Sequence, residues 1–211
     1  MKRIIFATKN IGKVGEFAQM MEKYGVEVLS LLDINYEGEI EENGLTFEEN
    51  ALIKARAIAS LYKTTVIADD SGLSIDALNG APGIYSARYA SLTCKSDLTS
   101  KTMEACSDDA NMDKVLEELK NVPDNERTAR FVCVLAIVDV NGKETVVKGT
   151  CEGIISRVKR GACGFGYDPI FYLPQLNKTM AELTKNEKNA LSHRKDAFKK
   201  LELDLVAGEF I

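Results

Sequence analysis

Short, largely apolar runs alternate with helically spaced apolar positions through the first third of the chain. Residues 4–7, 26–29 and 65–68 are such runs, each followed by a polar residue, and their length predicts buried strands. Between the first two runs, apolar residues recur at helical spacing over residues 14–21, and Gly25 ends that helix. This alternation of strands and helices predicts an α/β fold.

Two further helices are indicated by their own local signals. Thr46 is followed three residues later by Glu49, which is the capping-box pattern, and the apolar residues over 47–59 lie on one helical face. Residues 108–119 also carry apolar residues at helical spacing. We therefore expect one helix to begin next to Thr46 and another over residues 108–119.

The second half of the chain is richer in strand signals. Residues 131–140 and 144–158 flank an Asn141-Gly142 pair, which is typical of a two-residue hairpin turn. The third run, residues 65–68, is expected to end as a strand before Asp69. Helical spacing returns over residues 181–205. We predict a mixed α/β fold with a central sheet, in which the hairpin can carry a second lobe.

Length and charge narrow the classes of protein that fit this pattern. The chain has 211 residues and a formal net charge of -5, from 27 basic and 32 acidic side chains. The length favours a single domain over residues 1–211, or two tightly coupled lobes. The charge argues against a nucleic-acid coat protein, although it leaves room for a local basic pocket that binds a small anion. The longest apolar run, residues 131–138, is far shorter than the ~20 residues of a membrane helix, so no membrane partner is expected.

The cysteines indicate a reduced protein. There are 5 cysteines and a single histidine, and no two cysteines form a CxxC pair. This spacing does not match a structural zinc site, and the odd number speaks against a disulfide framework. The simplest interpretation is a cytoplasmic protein with free thiols.

The segment of residues 8–13 is the first candidate for a binding site. Its sequence, Thr-Lys-Asn-Ile-Gly-Lys, lies between a predicted strand and a predicted helix. Backbone N–H groups at a helix start and the helix dipole favour an anion there, and two lysines add positive charge. It is not a Walker A loop, because the first glycine and the Ser/Thr after the lysine are missing. The alternative is a solvated turn with incidental lysines.

Acidic residues form a second candidate. Four glutamates lie between residues 37 and 42, and Asp69-Asp70 follows the third predicted strand. Carboxylates from separate segments suit Mg²⁺, which takes only one or two of them when phosphate oxygens complete its shell. Ligand sites in open α/β sheets lie at strand ends, where Asp70 is expected. The glutamates alone are more typical of a solvated face than of a metal site.

Two more segments could contact a ligand. Residues 164–169 combine glycines, which allow close approach of the backbone, with aromatic rings, which can stack on a base. Lys188 and residues 192–194, Ser-His-Arg, lie in the C-terminal helical stretch. The alternatives are a tight turn packed by its own rings and a basic helix surface.

Taken in order along the chain, these pieces form a signature. It comprises residues 8–13, 41–51 (EENGLTFEENA), 68–73 (ADDSGL), 80–89 (GAPGIYSARY), 165–171 (FGYDPIF) and 192–194 (SHR). The sequence resembles the inosine triphosphate pyrophosphatase family, enzymes that hydrolyse dITP, ITP and XTP to the monophosphate and pyrophosphate. The resemblance spans nearly the whole chain. It implies an elongated two-lobed α/β fold with a central twisted mixed sheet flanked by helices, in which the lobes flank a nucleotide cleft, and it implies a homodimer.

The resemblance also implies roles for individual residues. Asp70 is implied as the catalytic proton acceptor, and Mg²⁺ as a cofactor held by Glu41 and Asp70. The triphosphate is implied to contact Thr8, Lys9, Asn10, Ile11, Gly12, Lys13 and Lys54, with Ser71 also against the substrate. The purine base is implied to contact Phe165, Gly166, Tyr167, Asp168, Lys188, His193 and Arg194.

Two other functions remain as alternatives. One is a Maf-type pyrimidine nucleotide pyrophosphatase, which lacks the FGYD and SHR segments present here. The other is a nucleotide-binding sensor that does not turn over its ligand. The presence of Lys13, Lys54, Glu41 and Asp70 argues against a sensor. No nucleic-acid partner is expected for this chain.

Overall fold

The computed structural model describes residues 2–92 and 106–206, so Cys94 lies outside the described residues. These residues form two compact units. The first unit takes residues 2–71, 133–150 and 192–206, and the second takes residues 72–92, 106–132 and 151–191.

The described residues contain seven strands and five α-helices. The strands are Lys2–Phe6 (β1), Val26–Ser30 (β2), Val66–Ile75 (β3), Thr128–Val138 (β4), Glu144–Ile155 (β5), Phe171–Leu173 (β6) and Lys178–Thr179 (β7). The helices are Ile11–Met21 (α1), Phe47–Tyr62 (α2), Asp108–Glu118 (α3), Lys185–Leu191 (α4) and His193–Val206 (α5).

The strands form one mixed sheet in the order β2-β1-β3-β4-β5-β6-β7. β1 pairs in parallel with β2 and with β3, whereas β6 pairs antiparallel with β5 and with β7. The predicted α/β class with a mixed central sheet is therefore confirmed. Within the described part of the chain, no helix has the length and apolar character needed to cross a membrane.

Local capping explains where two of the helices begin. The Asn10 side chain accepts a hydrogen bond from the Lys13 backbone N–H (3.1 Å) at the start of α1. The Thr46 hydroxyl accepts one from the Glu49 N–H (3.1 Å), so α2 begins where the capping box predicts. The Glu49 carboxylate in turn accepts from the Leu45 N–H (2.6 Å). Each cap satisfies backbone donors that the first helical turn leaves without a partner.

Each unit has its own hydrophobic core. In the first unit, the rings of Phe6 and Phe17 stack with centroids 4.5 Å apart, and Phe17 meets Phe198 edge-on at 5.8 Å. In the second unit, the Phe131 and Phe171 rings pack with centroids 4.3 Å apart among buried aliphatic residues. These cores bury β1, β3, β4 and the inner faces of the helices.

Several predicted boundaries differ from the structure. The third strand does not end before Asp69 but continues to Ile75, because Leu73 and Ile75 are fully buried in the second unit's core. Asp69 and Asp70 thus lie inside a strand rather than beyond its end. The C-terminal helical stretch is divided at Ser192 into α4 and α5, and β5 ends at Ile155 rather than at residue 158.

Candidate active site

The turn between β1 and α1 has the backbone geometry expected of an anion-binding segment. The Thr8 hydroxyl accepts a hydrogen bond from the Asn10 N–H (3.1 Å), and Asn10 caps the helix as described. Lys9 donates to the Gly38 carbonyl (3.2 Å). Ile11 and Gly12 form the exposed first turn of α1. The positive end of the helix dipole therefore meets solvent at this turn, with Lys9 beside it.

Asp69 is the centre of a buried charge network in the first unit. Its Oδ1 accepts from the Lys13 ammonium and from the Ser71 hydroxyl (3.1 Å). Its Oδ2 accepts from the Cys133 thiol (3.1 Å) and lies 3.6 Å from Nη1 of Arg194. Burial alone would raise the pKa of Asp69, but the Lys13 and Arg194 charges outweigh it and hold the pKa below its usual range.

Asp70 has a different environment from its neighbour. Its Oδ1 accepts from the Lys54 ammonium (3.0 Å), whereas its Oδ2 is buried without a hydrogen-bond partner among the described residues. Burial raises the pKa of Asp70 above its usual value, although Lys54 and Lys13 act in the opposite direction. Asp70 is thus the more basic of the two carboxylates, and it has an acceptor atom to offer.

Lys54 joins the acidic segment before α2 to β3. Its ammonium donates to the Glu42 carboxylate (2.6 Å) as well as to Asp70. Burial lowers the pKa of Lys54, but Asp70 and Glu42 raise it by more, so the ammonium form is favoured. Because Lys54 is on the second turn of α2, the capping of that helix also sets the position of this charge.

Arg194 is held by two carboxylates and a hydroxyl. The side chain is only 3% exposed, and its Nε donates to Glu16 Oε2 on α1 (2.5 Å). Its Nη1 donates to the Ser71 hydroxyl (2.9 Å). Burial lowers the pKa of Arg194, but Asp69 and Glu16 outweigh it and raise the pKa above its ordinary value. His193, the first residue of α5, is also buried.

The second unit contains a short loop that we call the aromatic loop, residues 164–168. Asp168 Oδ2 accepts from the Phe165 N–H (3.0 Å) and from the Lys188 ammonium (2.7 Å), and that ammonium lies 4.4 Å from the centroid of the Phe165 ring. Gly164 has φ +87°, and a Cβ there would clash with the Asp168 carboxylate. The loop is therefore closed around one carboxylate.

Tyr167 does not present its ring to a ligand in this loop. Its side chain is buried in the second unit's core, and its hydroxyl donates to the Ser86 carbonyl (2.8 Å). Phe165 is the half-buried aromatic residue of the loop. Of the two rings that the sequence suggested for stacking, Phe165 is the accessible one.

The structure brings together many of the residues singled out from the sequence. In the first unit, direct contacts at β3 connect five of them: Lys13, Lys54, Asp70, Ser71 and Arg194. In the second unit, Phe165, Asp168 and Lys188 contact one another. Glu41 is exposed, and the glutamate that contacts Lys54 is its neighbour Glu42. Among the residues that the structure describes, no three His, Cys, Asp or Glu side chains are grouped as a ready-made metal cage.

Sequence reasoning missed three members of these networks. Glu16 and Cys133 gave no signal, because one lies within a helix and the other within an apolar run. Asp69 was noticed only as part of an acidic pair, although it holds more partners than Asp70. A charged residue inside an otherwise apolar helix face or strand is the signal that could have found Glu16 and Asp69.

Comparison with known proteins gives a consistent answer. The model of the Ham1 family matches residues 4–203. A Bacillus subtilis protein named dITP/XTP pyrophosphatase is 54% identical over 202 residues, covering 95% of this chain and 96% of the relative. A Bacillus cereus protein of the same name is 51% identical over 204 residues, covering 96% of this chain and 94% of the relative.

Solved structures agree with the sequence relatives. The Ham1 protein of Staphylococcus aureus is 43% identical with a TM-score of 0.83, over 98% of this chain and 100% of that one. A HAM1 protein from Coxiella burnetii is 39% identical with a TM-score of 0.84, over 98% of this chain and 100% of that one. The resemblance inferred from the sequence motifs is confirmed, and the chain belongs to the Ham1 family.

Proposed function

We propose that this protein hydrolyses the non-standard purine nucleoside triphosphates dITP, ITP and XTP to the monophosphate and pyrophosphate. The observation that carries the proposal is the Asp70 carboxylate, which has one oxygen on Lys54 and the other buried without a partner among the described residues. Such a group can accept a proton from an attacking water. The relatives named dITP/XTP pyrophosphatase supply the substrate class.

The phosphates are assigned to the first unit. The β1–α1 turn offers backbone N–H groups at a helix start, and the half-buried Lys13 and the buried Lys54 offer two ammonium groups. Both lysines already contact carboxylates, which restrains their ammonium groups before the substrate arrives. Charge on the departing pyrophosphate is thus met by groups that need little reorganisation.

The Asp70 side chain also fits a divalent metal. Its buried Oδ2 is a hard oxygen ligand, and the exposed Glu41 is the second carboxylate we assign to the metal. When bound, Mg²⁺ would neutralise phosphate charge and acidify a coordinated water. Two protein carboxylates suffice, because Mg²⁺ usually keeps waters and phosphate oxygens as its other ligands.

The reaction balances with the groups of this chain. Water attacks the α-phosphorus, the bond from that phosphorus to the bridging oxygen breaks, and pyrophosphate leaves with the bonding electron pair. Asp70 takes the proton of the water. Burial favours this step because it raises the pKa of Asp70, while Lys54 prevents the carboxyl from being protonated too readily beforehand.

Base recognition is assigned to the aromatic loop together with Lys188, His193 and Arg194. Phe165 can stack on any purine, so it adds affinity without selecting one purine base over another. Lysine and arginine side chains only donate hydrogen bonds, so they pair with the 6-carbonyl of hypoxanthine or xanthine and not with the 6-amino group of adenine. This difference favours dITP over dATP.

The test of this function is pyrophosphate release from dITP in the presence of Mg²⁺, with dATP and dTTP as comparison substrates. We expect rapid release from dITP and release at least ~100-fold slower from dATP. Preference for dTTP would instead support the Maf-type alternative, and binding of dITP without release would support the sensor. As part of the same proposal we expect a cytoplasmic homodimer, which light scattering after gel filtration would show as twice the monomer mass.

A further inference from the structure

The aromatic loop has a second carboxylate contact outside the site described above. Asp108 Oδ2, on the first residue of α3, accepts a hydrogen bond from the Gly166 N–H (2.6 Å). The two residues are 58 positions apart in the sequence, so this contact ties the loop to a separate helix. Asp108 is in none of the motifs that led to the proposed function.

The two carboxylate contacts lie on either side of Phe165. Asp168 Oδ2 accepts from the Phe165 N–H, which belongs to the peptide plane before the Phe165 Cα. Asp108 Oδ2 accepts from the Gly166 N–H, which belongs to the peptide plane after it. Because peptide units are planar, fixing both planes fixes φ and ψ of Phe165 and so the direction of its Cβ.

The need for such a restraint follows from the loop's composition. Gly164 and Gly166 have φ of +87° and +64°, a region that glycine reaches without strain and leaves just as readily. A ring flanked by two glycines would have many orientations without outside contacts. Tyr167 is held by Ser86, and the Phe165 N–H is held by the Asp168 carboxylate. The Phe165–Gly166 peptide has two contacts: its carbonyl accepts a long bond from the Asp168 N–H (3.4 Å), and its N–H donates the much shorter bond to Asp108 (2.6 Å).

Capping of α3 does not explain the position of Asp108. The N-cap is Ser107, whose hydroxyl accepts from the Ala110 N–H (3.2 Å). The neighbouring Asp109 is in the same helical turn, and its carboxylate contacts Lys159 instead (2.9 Å). Both aspartates have the same favourable relation to the helix dipole, but only Asp108 contacts the aromatic loop through the bonds described here.

We infer that Asp108 is a positioning residue for nucleotide binding, which holds the peptide after Phe165 so that the ring is oriented to stack on the substrate base. The inference rests on the proposed function, since it needs Phe165 to contact the base. Stacking acts on the bound substrate and on the transition state alike, so losing it raises KM and leaves kcat nearly unchanged.

The experiment is a double-mutant cycle of Asp108→Ala and Phe165→Ala, with steady-state kinetics on dITP and dATP. We expect Asp108→Ala to raise KM for both substrates about fivefold, with kcat within about a factor of two. Asp108→Asn, which keeps an acceptor oxygen, should lie between Asp108→Ala and the wild type. In the Phe165→Ala background, Asp108→Ala should have no further effect on KM.

Asp109→Asn is the matched control, because it removes a carboxylate from the same helical turn without touching Gly166. It should leave KM unchanged, and all variants should unfold at the wild-type temperature within ~2 °C. An unchanged KM in Asp108→Ala, a loss carried by kcat, or an equal loss in the Phe165→Ala background each overturns the inference. A wild-type protein that does not hydrolyse dITP overturns the proposed function itself, and with it this role of the loop.

Discussion

At the scale of single residues, the contrast between Asp69 and Asp70 defines the chemistry. Both carboxylates are buried on β3, yet Asp69 contacts donors through both of its oxygens whereas Asp70 has Oδ2 without one among the described residues. The Asp69 carboxylate already accepts hydrogen bonds from Lys13, Ser71 and Cys133, and these bonds favour its charged form over its protonated form. Asp70 can take a proton, which is why we propose the second aspartate as the proton acceptor.

The first prediction concerns Asp70→Asn. The amide keeps the shape and can still accept from Lys54, but it cannot take a proton, so kcat for dITP should fall ~100-fold or more while binding persists. Pyrophosphate release and equilibrium binding of dITP measure the two effects separately. Asp76→Asn, an exposed aspartate just after the same strand, serves as the control and should retain wild-type kcat. Near-normal turnover in Asp70→Asn would remove Asp70 from the catalytic role.

A second residue-scale prediction concerns base selection by Arg194. Arg194→Ala should lower kcat/KM for dITP much more than for dATP, because the Arg194 guanidinium can donate a hydrogen bond to the 6-carbonyl of hypoxanthine but not to the 6-amino group of adenine. The variant also removes the buried cation that Glu16 and Asp69 share, leaving Asp69 with Lys13 as its cation, and is expected to be less stable. The ratio of the two kcat/KM values on one preparation cancels any loss of folded protein. Phe165→Ala should weaken both substrates about equally, and an unchanged ratio in Arg194→Ala would contradict the assignment.

At the scale of helices and strands, local signals predicted the beginnings of elements better than their ends. Thr46 and Glu49 are three residues apart, so the start of α2 was readable from the sequence. The continuation of β3 through Asp69 and Asp70 was not, because it depends on the burial of Leu73 and Ile75 in a core assembled from distant segments. A strand that carries two buried acids becomes plausible only once their partners are known.

The candidate site shows the same division. Most of the residues that we propose to contact phosphate and base were singled out from the sequence, because they lie in or next to contiguous motifs. Their partners could not, since Lys13 and Asp69 are 56 residues apart and Arg194 and Glu16 are 178 apart. The contact between Lys54 and Glu42 likewise joins α2 to a separate segment and could not be read from a motif.

Asp69 gives an element-scale prediction, because its carboxylate joins β3 to α1, β4 and α5 through Lys13, Cys133 and Arg194. Asp69→Asn leaves the half-buried Lys13 and the buried Arg194 without their shared anion and should lower the free energy of unfolding by ~3–5 kcal/mol at pH 7. The pKa of Asp69 is lowered in the folded protein, so its stabilisation is complete above the unfolded pKa of about 3.9. It is lost as the pH falls below that value, through the folded pKa.

Urea denaturation of the wild type and of Asp69→Asn at several pH values tests this. The difference between their unfolding free energies should be constant from about pH 7 to about pH 5 and should narrow below about pH 4. Asp113→Asn, an exposed aspartate paired with Lys159, should match the wild type throughout. No difference at pH 7 would show that the Asp69 network contributes nothing to stability.

At the scale of the whole molecule, binding of a nucleotide is coupled to folding of the chain. A ligand that binds only the folded chain stabilises it by an amount set by its concentration and affinity. The formal net charge of -5 works against binding of a triphosphate anion in general, so we expect affinity for the phosphates to come from the local cations Lys13 and Lys54.

The last prediction follows from this linkage and uses Asp70→Asn as a form that binds without turnover. At 100 times its Kd, dITP should add ~2.7 kcal/mol to the free energy of unfolding, which for a chain of this size raises Tm by ~5–10 °C. Differential scanning calorimetry with dITP, dATP and dTTP, each at the same concentration with Mg²⁺, measures the shift. We expect dITP to raise Tm more than dATP does, because the hydrogen-bond donors of the residues that contact the base favour a 6-carbonyl. In the Asp70→Asn/Arg194→Ala double variant, dITP and dATP should raise Tm by the same amount. Equal rises in Tm with all three nucleotides in Asp70→Asn itself would mean that the protein recognises only the triphosphate.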